Sequence, residues 1–486
     1  MDLSPRAASR LRGAHCYVCG FLSAYFQLVD LCNFGSLRCT TMEDALRNSM
    51  FSLKSGRAGL GGRKMVRPPI CVSPHRACIS VLLVLASAGL ARAGPAKAPA
   101  EPPETIVAIG DVHGDLANFE AILQETDLMN ARHQWTGRGI VLVQTGDVVD
   151  RGPSSRQCLD LLMSLERQAD RQQGKVIALL GNHEVMAMTG DLRYVSAEDY
   201  QGFSTDKSEK VRERAYQDYL DFMSSQSDRV RAESAAEAKS RESWMMEHPL
   251  GYFERRDAFG PQGVYGRWLR EHNAVVQLKD GVFVHGGLSP NISFRDISEL
   301  NQQIRSDIAS FDALWQSLSK KKIIWRYMTI SEAILQAGSE WAAIQTQPQV
   351  DAELKEELRK FLTFPKLFIN SPDSPLWYRG LAQESGQMPA SSDVEAMLAR
   401  LKIGYLVIAH TPTPDGRIHP RFGNHVFLID TGMLKVVFGG RASALEINDG
   451  RFTAYYVNEK SQALPAPAKV ANSSLVPNEV LSGQQP

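Results

Sequence analysis

Three apolar runs in this chain each stop at a polar corner built around glycine. TIVAI leads into GDVHG at Gly110–Gly114, GIVLVQT into GDVVDRG at Gly146–Gly152, and KVIALL into GNHE at Gly181–Glu184. Short, unbroken apolar runs rich in Val and Ile are the pattern of buried strands. Between them, LANFEAILQETDL (Leu116–Leu128) and SSRQCLDLLMSLERQ (Ser154–Gln168) repeat apolar residues at helical spacing. The order is β-α-β-α-β, so an α/β fold is expected. Sheets of this kind gather their sites beyond the carboxyl ends of the strands. Asp111, His113, Asp147, Asp150, Arg151, Asn182 and His183 all arrive there. Glycine at each corner permits a sharp turn and a close backbone approach to whatever is bound.

Two later histidines end apolar runs in the same way, His285 in VFVHGGL and His410 in LVIAHTP. Carboxylates, imidazoles and an amide oxygen brought together suit a pair of divalent or trivalent transition ions. Such a pair polarises a phosphoryl group, lowers the pKa of a bridging water and stabilises in-line displacement. Taken singly, a histidine is more often a hydrogen-bonded packing residue, and an aspartate at such a corner a turn or cap residue. Four histidines, each closing an apolar run, weigh the other way. His133, His248, His272, His419 and His425 lack that context and are read as surface or packing residues.

The ordered set GD-x-HG, GD-xx-DRG and GNHE, with VFVHGGL and LVIAHTP after it, resembles the calcineurin-like metallophosphoesterases, and among them the phosphoprotein phosphatase group. The resemblance runs from about Thr105 to Val457. It implies a metallophosphatase fold, a central mixed β-sandwich flanked by helices, here carrying helical insertions. It implies Asp111 and His113 on one ion, Asp147 bridging both, and Asn182, His285 and His410 completing the second. Mn²⁺, Fe or Zn²⁺ are the expected ions, with Mn²⁺ serving in vitro. It further implies His183 as the acid that protonates the leaving oxygen, oriented by Asp150. A carboxylate partner raises an imidazole pKa, as that role requires; a purely structural Asp–His hydrogen bond is the alternative. Arg151 has the planar fork that fits two phosphoryl oxygens. Arg379 in SPLWYRG is the second phosphate candidate, against a packing role beside Trp377 and Tyr378. Arg441 in GGRASALEI reads rather as a turn residue.

Departures from the family narrow the expectation. Toxin-sensitive eukaryotic members carry a Ser-Ala-Pro-Asn run in their late hairpin, where this chain has FLIDTGM at Phe427–Met433. Together with the long inserts, that is similar to the bacterial-type or Shewanella-like branch. The expected activity is hydrolysis of phosphomonoesters by direct attack of a metal-bridging hydroxide. The substrate is then a Ser/Thr or Tyr phosphoprotein, a phosphopeptide or a small phosphomonoester. Because the IDTG run also resembles dinucleoside polyphosphate hydrolases, these are the second reading. A non-catalytic phospholigand-binding protein is the third.

Of the 486 residues, 43% are hydrophobic and the formal net charge is zero, so no basic excess argues for nucleic acid. Arg63, Lys64, Arg67 and Arg76 precede ACISVLLVLASAGL (Ala77–Leu90), and Ala91-Arg92-Ala93 follows. Charged, apolar and A-x-A regions in that order make a secretory signal peptide. Residues 1–64 are then an over-extended start and 65–93 the signal. Residues 94–104 form a Pro/Ala linker and 105–457 the catalytic domain. The expected location is secreted or periplasmic, with no stable membrane anchor after cleavage. Six of the seven cysteines precede the cut, leaving Cys158 alone. Residues 196–273 and 295–364 read as helical inserts, and 458–486 as a disordered tail. AVVQLKDGVFVHGGL reads as a hairpin turning at Asp280-Gly281. HVFLID, LKVVF, SALEI and RFTAYYV read as a closing β-meander.

Overall fold

A computed structural model describes residues 105–226, 240–345, 351–383 and 388–468. The expected over-extended start, signal peptide and linker, and the tail past residue 468, lie outside the described residues. Two sheets stack face to face. The first contains β1 (Thr105–Ile109), β2 (Ile140–Gln144) and β3 (Lys175–Ala178). The second contains β4 (Val275–Leu278), β5 (Gly281–Val284), β6 (Tyr405–Ile408), β7 (His419–Arg421) and β8 (Val426–Leu428). The chain then returns to the first sheet with β9 (Ser443–Asn448), β10 (Arg451–Tyr456) and β11 (Gln462–Leu464). Strand order is β11-β10-β9-β1-β2-β3 in one sheet and β4-β5-β6-β8-β7 in the other. The strands β1, β2 and β3 run parallel, as do β5, β6 and β8, while the outer partners are antiparallel.

Alternation along β1 shows why the layers form. Ile106 and Ala108 face the second sheet, packing with Val143, Phe283, Val407, Phe427 and Phe452. Val107 and Ile109 face the helices with Phe119, Leu159, Leu162 and Leu165. A strand buried on both faces has no polar side to show, which is why its sequence reads as an unbroken apolar run. Phe427 of β8 stacks on Phe452 of β10 at 4.5 Å, tying the two sheets together. Each fully buried side chain of this size contributes roughly 1.5–3 kcal/mol relative to exposure.

Helices α1 (Leu116–Glu125) and α2 (Ser155–Arg171) follow the first two corners. Asp115 caps α1 by accepting from the Asn118 N–H at 3.2 Å. The third corner runs straight into α3 (Asn182–Thr189), which is buried along its whole length and ends at Gly190 in the left-handed conformation. Residues 196–273 then contribute α4 (Ala197–Phe203), α5 (Ser208–Ser225), α6 (Arg241–Glu247), α7 (Tyr252–Phe259) and α8 (Val264–Arg270). Residues 295–364 contribute α9 (Ile297–Lys320), α10 (Ile330–Ile344) and α11 (Ala352–Thr363), and α12 (Ser391–Leu401) precedes β6. The two regions share a core of their own, in which Tyr200, Phe222, Trp244, Tyr252 and Phe253 pack with Trp325 and Tyr327. His248 lies in it, stacked on Trp244 at 4.1 Å, a packing residue.

The hairpin forms, but its turn lies one residue earlier than read: Leu278 pairs with Gly281, so Lys279 and Asp280 make the loop and Lys279 takes the positive φ of 54°. The closing meander does not form. Val426–Leu428 joins the second sheet beside β6, whereas β9 and β10 belong to the first, so the segment between them crosses from layer to layer. LKVVF lies in that crossing, and its last four residues form a single helical turn, α13 (Lys435–Phe438). Thr431 accepts the Arg441 N–H and donates its hydroxyl to the Arg441 carbonyl, pinching the base of a loop that leaves no strand partner for Val436 and Val437. The region expected to be disordered from residue 458 begins instead with a paired strand, β11 against β10. No helix among the described residues is long and apolar enough to cross a membrane.

Candidate metal centre and active site

Backbone hydrogen bonds hang the first corner on the second. The N–H groups of Val112 and His113 donate to the Asp147 carbonyl at 3.0 and 2.9 Å, and Gly114 donates to Val148 at 2.8 Å. Glycine is required where the second and third corners interlock. A Cβ on Gly146 would lie 2.3 Å from the Gly181 nitrogen, and one on Gly181 would lie 2.2 Å from Asp147 Oδ1. His113, Asp147, Asp150, Arg151 and His410 all take positive φ, between 48° and 68°. That region is sparsely populated by non-glycine residues, and such conformations concentrate at functional sites.

Side chains from both sheets then converge. His285 Nδ1 faces the Thr145 carbonyl at 3.1 Å and must donate to it, since a carbonyl only accepts. In the neutral ring Nε2 then carries the lone pair. Around that atom lie Asn182 Oδ1 at 2.9 Å, His410 Nδ1 at 3.0 Å and Asp147 Oδ2 at 3.2 Å. With His410 in its Nε2–H tautomer all four atoms are acceptors, an arrangement that a cation among them satisfies. His113 repeats the pattern: Nδ1 donates to the Val149 carbonyl at 3.0 Å, while Nε2 lies 3.6 Å from Asp111 Oδ2 and 3.7 Å from Asp147 Oδ2. Fixing the tautomer through the far nitrogen is how metal-binding histidines are held. Burial pushes His113 down to about 3 and His410 well below the usual imidazole range, which keeps both rings neutral, the form a metal would take. Burial, then Asp430 and Asp147, push the Asp111 carboxyl well above its ordinary range. A bound cation reverses that effect. The donor set therefore fits two ions, with Asp147 common to both groups.

Beside this centre, His183 Nδ1 and Asp150 Oδ2 are 2.8 Å apart, both fully buried. His183 Nε2 lies 3.9 Å from Asp147 Oδ2, so the free ring nitrogen faces the metal cavity. Burial opposes the imidazolium, yet Asp147 and Asp150 outweigh it and leave His183 above its ordinary value. Burial likewise opposes the Asp150 carboxylate, but Arg255 and His183 hold it below the usual range.

The two candidate phosphate arginines are held by different partners. Arg151 rests on the Tyr194 ring at 4.3 Å and under Phe438 at 5.3 Å, with its Nε unpartnered. Arg379 donates through Nη1 to the His410 carbonyl at 2.8 Å and to Thr411 Oγ1 at 3.0 Å, which anchors the guanidinium beside a ligand loop. Arg441 pairs with Glu459 on the surface, away from these groups.

Four residues here carry no assignment from sequence. Glu184 accepts the backbone N–H groups of Asp147 (2.7 Å), Gly181 (2.8 Å) and Val148 (2.8 Å), and its place at the third helical position after Gly181 was the available signal. Asp430, in the IDTG run, is buried against Asp111, and burial pushes it up to about 6. Arg255 and Asp199, from the first insert, form buried ion pairs around Asp150, and nothing local in the sequence marks them.

The calcineurin-like phosphoesterase family model matches residues 104–414. An uncharacterised protein of Schizosaccharomyces pombe is 28% identical over 72% of this chain and 79% of its own length. Shewanella-like protein phosphatase 2 of Arabidopsis thaliana is 31% identical over 43% of this chain, which spans about half of that relative, 53%. Among solved structures, a cold-active protein-tyrosine phosphatase of a psychrophilic Shewanella species is 21% identical, covering 74% of this chain and 80% of that one, with a TM-score of 0.47.

Proposed function

The chain belongs to the calcineurin-like phosphoesterases and is a metal-dependent phosphoesterase, and from that premise we propose that it is a phosphomonoesterase acting on phosphorylated protein or peptide. The observation that carries this reading is the shared use of Asp147. One carboxylate belongs to both clusters, of which one also includes His183, and lies 3.9 Å from Nε2 of the buried His183–Asp150 pair. A binding protein has no need of a proton donor held against its ions.

In this reading Asp111, His113, Asp147, Asn182, His285 and His410 hold two divalent ions. When bound, those ions polarise the phosphoryl oxygens and lower the pKa of an attacking water. Arg151 and Arg379 grip the remaining phosphoryl oxygens. His183 delivers its proton from Nε2 to the departing ester oxygen, and Asp150 keeps the ring in the orientation that makes this transfer direct. Mn²⁺ is our choice of ion, because oxygen and imidazole ligands accept it readily.

A peptide rather than a small ester is favoured by the rim. Val436 is 90% exposed and Val437 48%, on the turn that ends in Phe438 above Arg151. Tyr194 flanks the same arginine. An apolar lip beside a phosphate grip suits a phosphorylated side chain with apolar neighbours; phosphotyrosine remains as open as phosphoserine or phosphothreonine. Secretion or periplasmic export is also proposed, on the signal pattern of residues 65–93. Phosphopeptides, free phosphoamino acids, para-nitrophenyl phosphate and diadenosine tetraphosphate assayed side by side test the reading. Higher kcat/KM on peptides is expected. Equal efficiency on free phosphoamino acids ends the protein-phosphatase reading, and preference for the dinucleotide replaces it.

A further inference from the structure

Asp150 uses both carboxylate oxygens. Oδ2 meets His183 Nδ1 at 2.8 Å, and Oδ1 accepts from Nη2 of Arg255, a residue of α7 in the first helical insert. Arg255 is 1% exposed. Its Nε donates to Asp199 Oδ2 at 2.9 Å, and Asp199 Oδ1 accepts the Ser155 N–H at 3.1 Å. Ser155 Oγ accepts the Asp150 N–H at 2.9 Å. The four residues thus close a ring of hydrogen bonds that begins and ends on Asp150. Phe259 packs against the guanidinium at 4.9 Å, with Phe203 and Tyr200 at 5.9 and 6.0 Å.

We infer that Arg255 is a positioning residue for proton delivery, and that the first helical insert thereby belongs to the catalytic apparatus. The inference rests on the reading of His183 as the leaving-group acid. A carboxylate held at one oxygen alone is free to turn about its terminal torsion, which is broad and soft. His183 would turn with it, because Asp150 is the partner of its Nδ1. Arg255 removes that freedom, and its fork takes both directions from a rigid plane: one N–H to Asp150, another to Asp199. Asp199 and Ser155 in turn fix where Arg255 sits. Arg255 touches neither the metal cavity nor the phosphate arginines by any hydrogen bond, so its effect passes through Asp150 and His183.

Arg255→Lys is the main test, since an ammonium keeps the charge but is a point donor that lacks the fork. The holoenzyme is assayed on phenyl phosphate, which needs its leaving oxygen protonated, and on 2,4-dinitrophenyl phosphate, which does not. Expected is a loss of about tenfold or more in kcat on phenyl phosphate, part of the 10²–10⁴ attached to a general acid. The dinitrophenyl ester should change by less than about twofold, with KM and bound metal unchanged, because the acid contributes little there. Added to Asp150→Asn, the substitution should cost little more, since both act through one ring. Asp199→Asn should give the same selective pattern at smaller amplitude, and it carries the test if Arg255→Lys does not fold. Equal losses on both esters, or loss of metal, overturn the inference. His183→Asn separates the two levels: if it too lowers both esters equally, the acid assignment itself has failed.

Discussion

Glu184 holds the main chain of Asp147: its Oε2 accepts the Asp147 N–H at 2.7 Å and that of Gly181 at 2.8 Å, while Oε1 takes Val148 at 2.8 Å. One buried carboxylate therefore sets the spacing between the second and third corners. Glu184→Gln replaces an acceptor oxygen by an NH₂ group that meets a backbone N–H. We expect a loss of about 1–3 kcal/mol, the usual cost of a buried polar group left unsatisfied. Weaker metal binding should accompany it, because Asp147 loses its fixed position. Urea unfolding and metal titration check both, and unchanged metal affinity would remove Glu184 from the support of the site.

Stripping metal with a chelator should abolish turnover, and Mn²⁺ should restore it. The same addition should raise the melting temperature, since ions bind the folded site and not the unfolded chain. Asp147→Asn should lose both effects together, because Asp147 borders both ligand groups. Full activity in metal-free protein would refute the mechanism.

His183→Asn is expected to behave differently. His183 lies with His113 and Asp147 in one of the two clusters, but the six assigned ligands remain, so metal content should hold while kcat falls by roughly 10²–10⁴. Metal analysis of the purified variant decides the point, for an emptied site would make His183 a ligand and not an acid.

Asp430 gives a pH signature in the metal-free protein. Burial pushes its carboxyl up to about 6 from an ordinary 3.8. Between those values the folded state binds more protons than the unfolded one, so stability falls as pH rises through that window. Asp430→Asn removes this contribution. The metal-free variant should exceed wild type by up to about 3 kcal/mol at pH 7, with the gap closing toward pH 4. Parallel unfolding curves across that range would rule this out.

How far the site can be read from sequence follows from where its information lies. Asp111, His113, Asp147, Asp150, Asn182 and His183 sit in runs short enough to carry their own strand, turn and ligand pattern, and the strand order brings them to one edge. His285 and His410 end strands of the other sheet, and their positions at the close of apolar runs are again local. Arg255 and Asp199 are different. They lie among the charged residues of the insert helices, and only the packing of α4 between α2 and α7 brings them to Asp150. Asp430 needs the crossing between layers, where the Ile429 carbonyl would lie 2.7 Å from a Cβ on Gly110. LKVVF has the composition of a strand, but its N–H groups close a local helical turn and leave Val436 and Val437 in solvent.

The sheet order also governs when the protein can become active during its own synthesis. Thr105 of β1 is paired on one side with Ile140 and on the other with Asn448 of β9. The strand that delivers Asp111 is therefore bordered by residues from nearly opposite ends of the domain. His410 and β8 also emerge late. A ribosome that has released only the first two hundred residues has made Asp111, Asp147 and His183 but neither histidine of the second sheet. Contacts so distant along the chain fold slowly and wait for the last strands. Hydrolytic power thus arrives only with the completed polypeptide, and a nascent or prematurely ended chain carries the motifs without the reactivity.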